Sequence, residues 1–132
     1  MKTVIFACVQ NAGRSQMAAA FFNRIADPAG ARAVSAGTRP AAQVHPEVIT
    51  VMREEGLDLS GAVPQKLTAR LSAEARWLIT MGCGEDCPVV LGVKRDDWPF
   101  PDPHGQGLEE VRAIRDLIRA KVEAFVADQG WA

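Results

Sequence analysis

Apolar residues fall along this chain in two kinds of pattern. Short continuous runs mark strands buried on both faces, and stretches spaced by three and four mark helices lying on a core. Lys2 to Ala7 is the first run, with Val4, Ile5 and Phe6 consecutive rather than alternating, as in the central strand of a parallel sheet. A helix follows from about Arg14 to Ala26. Its Met17, Phe21, Phe22 and Ile25 share a face, and Asp27-Pro28 stops it because the residue before proline resists the helical region. Ala31 to Ala36 reads as a second strand, closed by Gly37 and a proline-containing loop. His45-Pro46 opens a second helix, with proline in its first turn, Val48, Ile49 and Met52 inward, and Gly56 at its end.

From Leu57 to Leu71 the pattern supports only a turn at Leu59-Ser60-Gly61 and one helical turn after Thr68. Trp77 to Met81 is a further continuous run, and Val93 to Trp98 is a short final strand. Pro99-Phe100-Pro101-Asp102-Pro103 is too rich in proline for regular structure. The last helix, from Leu108 to about Ala127, repeats Leu108, Val111, Ile114, Ile118, Val122 and Phe125 at three and four, the stripe of a helix on a sheet. Strands alternating with helices predict an α/β fold: a three-layer, doubly wound, four-stranded parallel sheet with helices on both faces. Ligands of such sheets bind at the carboxyl ends of the strands. Cys8, Cys83 and Asp102 each fall just after a predicted strand, so one mouth can collect all three.

Composition narrows the class. With 132 residues the chain fits one domain, 1–132, and 48% hydrophobic with 23% charged residues describe an ordinary globule. A net charge of -1 without a basic stripe argues against nucleic acid as a partner. No apolar run reaches the ~20 residues of a membrane helix, and no signal peptide is read at the N-terminus, so a cytoplasmic location and a monomer are expected. Three cysteines, an odd number, suit chemistry better than structural bridges in such a compartment.

The densest chemistry lies in Cys8-Val9-Gln10-Asn11-Ala12-Gly13-Arg14-Ser15, between the first strand and the first helix. A tight turn feeding a helix start gathers unpaired backbone N–H groups around one point, which suits a tetrahedral oxyanion. Arg14 adds a planar bidentate donor, and Gly13 allows a positive φ or a close backbone approach. Cys8 then sits in a positive field as a thiolate nucleophile, with Ser15 hydrogen-bonded to it. Departure of an oxygen from the attacked oxyanion calls for a general acid. Asp102 is the candidate, with Asp96 and Asp97 as alternatives set nearer a strand end.

Cys-x5-Arg-Ser resembles the active-site loop of the low-molecular-weight tyrosine phosphatase superfamily. The longer string from Asn11 to Ala18 is similar to its arsenate reductase branch, as are Ser35-Ala36-Gly37, Thr80-Met81, Trp98 and Asp102-Pro103-His104-Gly105. The resemblance implies that fold and makes Asp102 the acid, on a rigid proline loop facing the cysteine. Gly82-Cys83-Gly84-Glu85-Asp86-Cys87-Pro88 adds two thiols in a glycine-flanked loop. Reducing arsenate takes two electrons, which the formation of one disulfide supplies. In the mechanism that the resemblance implies, Cys8 attacks arsenate, Cys83 attacks the Cys8 adduct and releases arsenite, and Cys87 then attacks Cys83. The resulting Cys83 to Cys87 disulfide passes to thioredoxin. The alternatives are a phosphatase, which the lack of any tyrosine disfavours, and a reductase recycled by a small thiol such as mycothiol or bacillithiol, which the Gly-Cys-Gly pattern resembles. Thioredoxin is preferred because it gives Cys87 a role.

No metal or bound cofactor is expected. A structural zinc site would need Cys83 and Cys87 completed from Cys8, His45 and His104; the two histidines are read as solvated. Some members of the resembling family hold potassium beside the loop, but the corresponding positions here are Ala19 and Gln65, leaving Asn11 and Ser35 to brace it.

Overall fold

The computed structural model describes residues 2–82 and 92–132. In chain order these form β1 (Lys2–Cys8), α1 (Arg14–Ile25), β2 (Ala31–Gly37), α2 (Pro46–Arg53), α3 (Ala69–Ala73), β3 (Trp77–Thr80), β4 (Lys94–Asp97) and α4 (Leu108–Gln129). The strands make one parallel sheet in the order β2-β1-β3-β4. The chain therefore reverses direction of winding at β1, and the crevice beyond the carboxyl end of β1 is where such a sheet binds ligands. Cys8 pairs with Gly37 at that end of the β1–β2 ladder.

The continuous apolar runs split between the two faces. Val4, Phe6, Cys8 and Ile79 join a large cluster with Met17 and Phe22 of α1, Val48 and Met52 of α2, and Ile118 and Val122 of α4. Ile5, Ala7 and Leu78 face a smaller cluster with Ala36, Leu67 and Ala75, against which Leu71 of α3 packs. Phe125 anchors the large cluster, with edge-on contacts to Trp77, Trp98 and Trp131 at centroid distances of 5.4, 5.4 and 5.8 Å. Edge-to-face aromatic pairs at such separations add about 0.5–1.5 kcal/mol each beyond burial.

Helix ends follow local chemistry. Thr68 caps α3, its side chain accepting from the Leu71 N–H at 3.0 Å, as the single turn expected after Thr68 requires. Gly130, at φ 73°, ends α4 in the left-handed conformation, two residues past the expected Ala127. Some inward assignments differ. Leu108 is 39% exposed, because the stripe begins one turn before α4 reaches the core. In α2 it is Val51, not Ile49, that is fully buried beside Val48 and Met52. The short final strand is exposed throughout, as an edge strand with a charged sequence can be; only the flanking Val93 and Trp98 reach the clusters.

Candidate active site

Residues 9–13 form a turn held from outside. The carbonyl of Cys8 accepts from Thr38 N–H at 3.2 Å, that of Val9 from Arg39 at 2.8 Å and that of Gln10 from Ala41 at 2.9 Å. Ala12 accepts from His45 at 3.0 Å and Gly13 from Met17 at 3.0 Å. The Asn11 carbonyl takes Gln16 Nε2–H at 3.1 Å. Each of these carbonyls is thus taken by a partner outside the turn or on α1.

Asn11, rather than Gly13, takes the positive φ, at 51°. Asparagine tolerates this conformation better than most residues, and its side chain is fully committed. Nδ2 donates to Ser15 Oγ at 2.8 Å, while Oδ1 accepts from Gln65 N–H at 2.9 Å and from Gln16 Nε2 at 3.3 Å. Gln65 Nε2 also donates to the Ser35 carbonyl at 2.8 Å. Asn11 and Ser35 thus brace the loop through the amides of Gln16 and Gln65, a pair of spacers whose spacing in sequence carries no motif.

Cys8 is 2% exposed, and its Sγ lies 2.9 Å from Ser15 Oγ. Since Ser15 Oγ already accepts from Asn11, its own hydrogen is free to point at the sulfur. Arg14, also buried, donates from Nη1 to the Phe100 carbonyl at 3.0 Å and places Nη2 3.8 Å from Asp102 Oδ2. Glycine is demanded twice around this pair. A Cβ on Gly82, which has φ +97°, would lie 2.5 Å from Arg14 Nη1, and one on Gly13 would lie 2.7 Å from Pro103 Cγ. Gly13 therefore serves the close approach, not the positive φ. Gly82 receives the guanidinium against its backbone, besides any freedom it gives the loop.

Cys8, Val9, Gln10, Ala12, Gly13, Arg14, His45 and Asp102 line one cavity. Asp102 comes to it from the proline-rich segment, with Oδ1 accepting from the His104 N–H at 2.9 Å. Asp96 and Asp97 are engaged elsewhere. Asp96 accepts from Trp98 Nε1 at 3.0 Å and Asp97 from Thr80 Oγ1 at 2.6 Å. The reading of both histidines as solvated is corrected for His45. It is half-buried in the cavity wall, its ring 4.6 Å from that of His104 and inclined by 36°. Burial, then the neighbouring His104, lowers its pKa from 6.5, against the opposing pull of Asp102 and Glu47. Two histidines 59 positions apart carry no local signal, so only the fold joins them. Cys83 and Cys87 lie outside the described residues. Among the described residues no group of three or more His, Cys, Asp or Glu could hold a metal ion, and no helix is long and apolar enough to cross a membrane.

Known proteins resemble this chain in sequence and in fold. A putative arsenate reductase of Halobacterium salinarum is 41% identical over 121 residues, covering 89% of this chain and 85% of its own. The glutaredoxin arsenate reductase of Synechocystis is 34% identical over 130 residues, 96% of this chain and 98% of its own. Among solved structures, the thioredoxin-dependent arsenate reductase of Corynebacterium glutamicum superposes with a TM-score of 0.83 at 33% identity. That match takes in 97% of this chain, which spans 61% of the other's length. The family model for low molecular weight phosphotyrosine protein phosphatase matches residues 3–129. Since that span runs from β1, through the turn that carries Cys8, to the last residue of α4, the chain belongs to the low molecular weight phosphotyrosine protein phosphatase family.

Proposed function

We propose that the chain is an arsenate reductase in which Cys8 is the nucleophile. The observation that carries this reading is the thiol at the floor of the turn, 2.9 Å from Ser15 Oγ, beside the buried guanidinium of Arg14. Arsenate held by the amides of Val9 to Ser15 and by Arg14 is attacked at arsenic by the Cys8 thiolate. One As–O bond breaks, and Asp102 supplies the proton with which that oxygen leaves as water. Cys83 then attacks the Cys8 sulfur. The As–S pair stays on arsenic, which becomes As(III) and departs as arsenite, and a Cys8 to Cys83 disulfide holds the two electrons' worth of oxidation. Cys87 attacks Cys83, frees Cys8 and leaves a Cys83 to Cys87 disulfide for an external reductant.

The position of Gly82 supports the relay, since the residue covalently joined to Cys83 rests against Arg14. Thioredoxin is the reductant favoured, as named for the Corynebacterium glutamicum structure; a glutaredoxin, named for the Synechocystis relative, or a small thiol such as mycothiol or bacillithiol would be the alternatives. A cytoplasmic monomer, one domain over 1–132, fits this chemistry.

The test is one arsenate turnover without reductant, followed by mass mapping of disulfides. The wild type should release one arsenite and carry a Cys83 to Cys87 disulfide, and Cys87→Ser should trap Cys8 to Cys83. Failure to form arsenite, together with phosphate-ester hydrolysis that survives Cys83→Ser and Cys87→Ser, would instead make the chain a phosphatase.

A further inference from the structure

The cavity around Cys8 is small and partly open to solvent. Its volume is about 10 Å³, the room of a single water, so a tetrahedral oxyanion seated on the loop also meets the wall that carries Asp102. Most of the lining is the loop itself, which cannot move without breaking its hydrogen bonds. The exception is the segment bearing Asp102. Phe100 packs against the large cluster, Phe100 and Asp102 meet Arg14, Pro103 is buried against Gly13, and His104 lays its ring on His45. The remaining bonds of Asp102 and Pro103 stay within the segment: His104 N–H to Asp102, and Gln106 N–H to the Pro103 carbonyl at 3.1 Å.

Of these contacts, the histidine pair is the one whose sign can change. Two neutral rings at 4.6 Å attract by dispersion, while two imidazolium rings at that distance repel. His45 does not use its side chain to cap α2. Its backbone alone bonds Ala12, Val48 and Ile49, so the ring is available for the contact.

We propose that His45 and His104 are a latch: stacked while neutral, they hold the Asp102 segment closed over the Cys8 loop, and protonation of both rings releases it. They are positioning residues, acting on the reaction through Asp102. The charged groups facing His45 are Asp102 and His104 from the segment, Glu47 from its own helix, and Cys8 and Arg14 across the cavity. Asp102 and Glu47 favour the cation, whereas burial and His104 oppose it, and the net direction is downward. The resting state at neutral pH is therefore the closed one. The catalytic part of this inference rests on the proposed reductase reading; the latch itself does not.

The chain contains two histidines in all, so imidazole NMR reads the latch without ambiguity. In the full-length protein His45 should titrate below 6.5, and the ring-to-ring NOE should vanish once both rings are charged. His104→Ala should raise the His45 titration. It should also slow single-turnover arsenite formation at pH 7 about tenfold, while arsenate affinity changes less than about twofold, because the cradle is intact. His104→Phe, which keeps a ring and removes the charge, should restore that rate and preserve a ring-to-ring NOE at pH 5. A His45 titration not below 6.5, or an NOE unchanged when both rings are charged, would overturn the latch whether or not arsenate is reduced. Equal rates in His104→Ala and wild type, with arsenate turned over normally, would overturn its role in positioning Asp102.

Discussion

Residues 9–13 and the segment from Pro99 to Gly107 reach the same cavity by opposite means. In the first, the carbonyls from Cys8 to Gly13 are all bonded to neighbouring segments or to α1, and Asn11 is tied by three further side-chain bonds. In the second, Asp102 has a side chain 57% exposed, and the segment meets the body through Arg14, Gly13 and His45 and through Phe100, which packs against the large cluster. The difference separates two requirements of catalysis. Donors that stabilise a developing oxyanion work best when they need no reorganisation, and on the proposed reading they are the amides of the firmly bonded turn. On the same reading the acid, Asp102, sits on the segment that the histidine pair latches.

If this division is right, damage on the two sides should look different in kinetics. Asp102→Asn should lower single-turnover arsenite formation by about 10²- to 10⁴-fold, the range of a lost general acid. Arsenate affinity should not fall, because the anion is held by the loop and Arg14, and the substitution removes a negative charge beside Arg14. Rapid-quench measurement of arsenite beside equilibrium binding of arsenate checks both halves. A parallel loss of affinity would mean that Asp102 helps to hold Arg14 in place and that the two regions are one unit.

Ser15→Ala should act on the other side and more weakly. It removes the hydroxyl between Cys8 and Asn11, and iodoacetamide should alkylate Cys8 about tenfold more slowly at pH 7, near the low end for a hydrogen bond to a charged group. The histidine NMR signals should not respond, because neither ring touches Ser15. An unchanged alkylation rate would remove Ser15 from the activation of the thiol.

The same contrast explains how much was legible before the fold was known. The strands and the turn could be read because their signals are local: Val4-Ile5-Phe6 for a buried strand, and Cys8 through Ser15 for a cradle at a strand end. Asp102 was legible through its proline neighbours. Gln16, Gln65 and His45 were not, because their roles depend on partners up to dozens of residues away and polar side chains at those spacings resemble any solvated surface. Gly13 was read as allowing a positive φ or a close approach; it serves the close approach to Pro103, and the positive φ falls on Asn11, whose amide group is held by hydrogen bonds.

The smallest expected effect concerns the frame behind the loop. His45, whose N–H holds Ala12, is the N-cap of α2, and just past the other end of that helix Glu54 joins it to α4. Glu54 accepts from Arg112 Nη2 at 2.8 Å and Arg115 Nη1 at 2.8 Å, and these bonds hold its carboxyl down at about 2, from 4.5. A carboxylate with a depressed folded pKa stabilises the fold fully above its unfolded value and loses that contribution as pH falls through the folded one. The contribution should therefore be complete above pH 4.5, shrink between 4.5 and about 2, and be absent below. Glu54→Gln should lower the urea midpoint slightly at pH 7 and flatten its decline across that acid window, so that the variant and wild-type curves converge near pH 2. Because Arg112 and Arg115 bear on the frame and not on the segment, the ring-to-ring contact of His45 and His104 at pH 7 should be the same in the variant. If that contact weakened as well, the frame and the segment would be coupled through α2, and the separation of a fixed cradle from a lifting acid would have to be redrawn at His45.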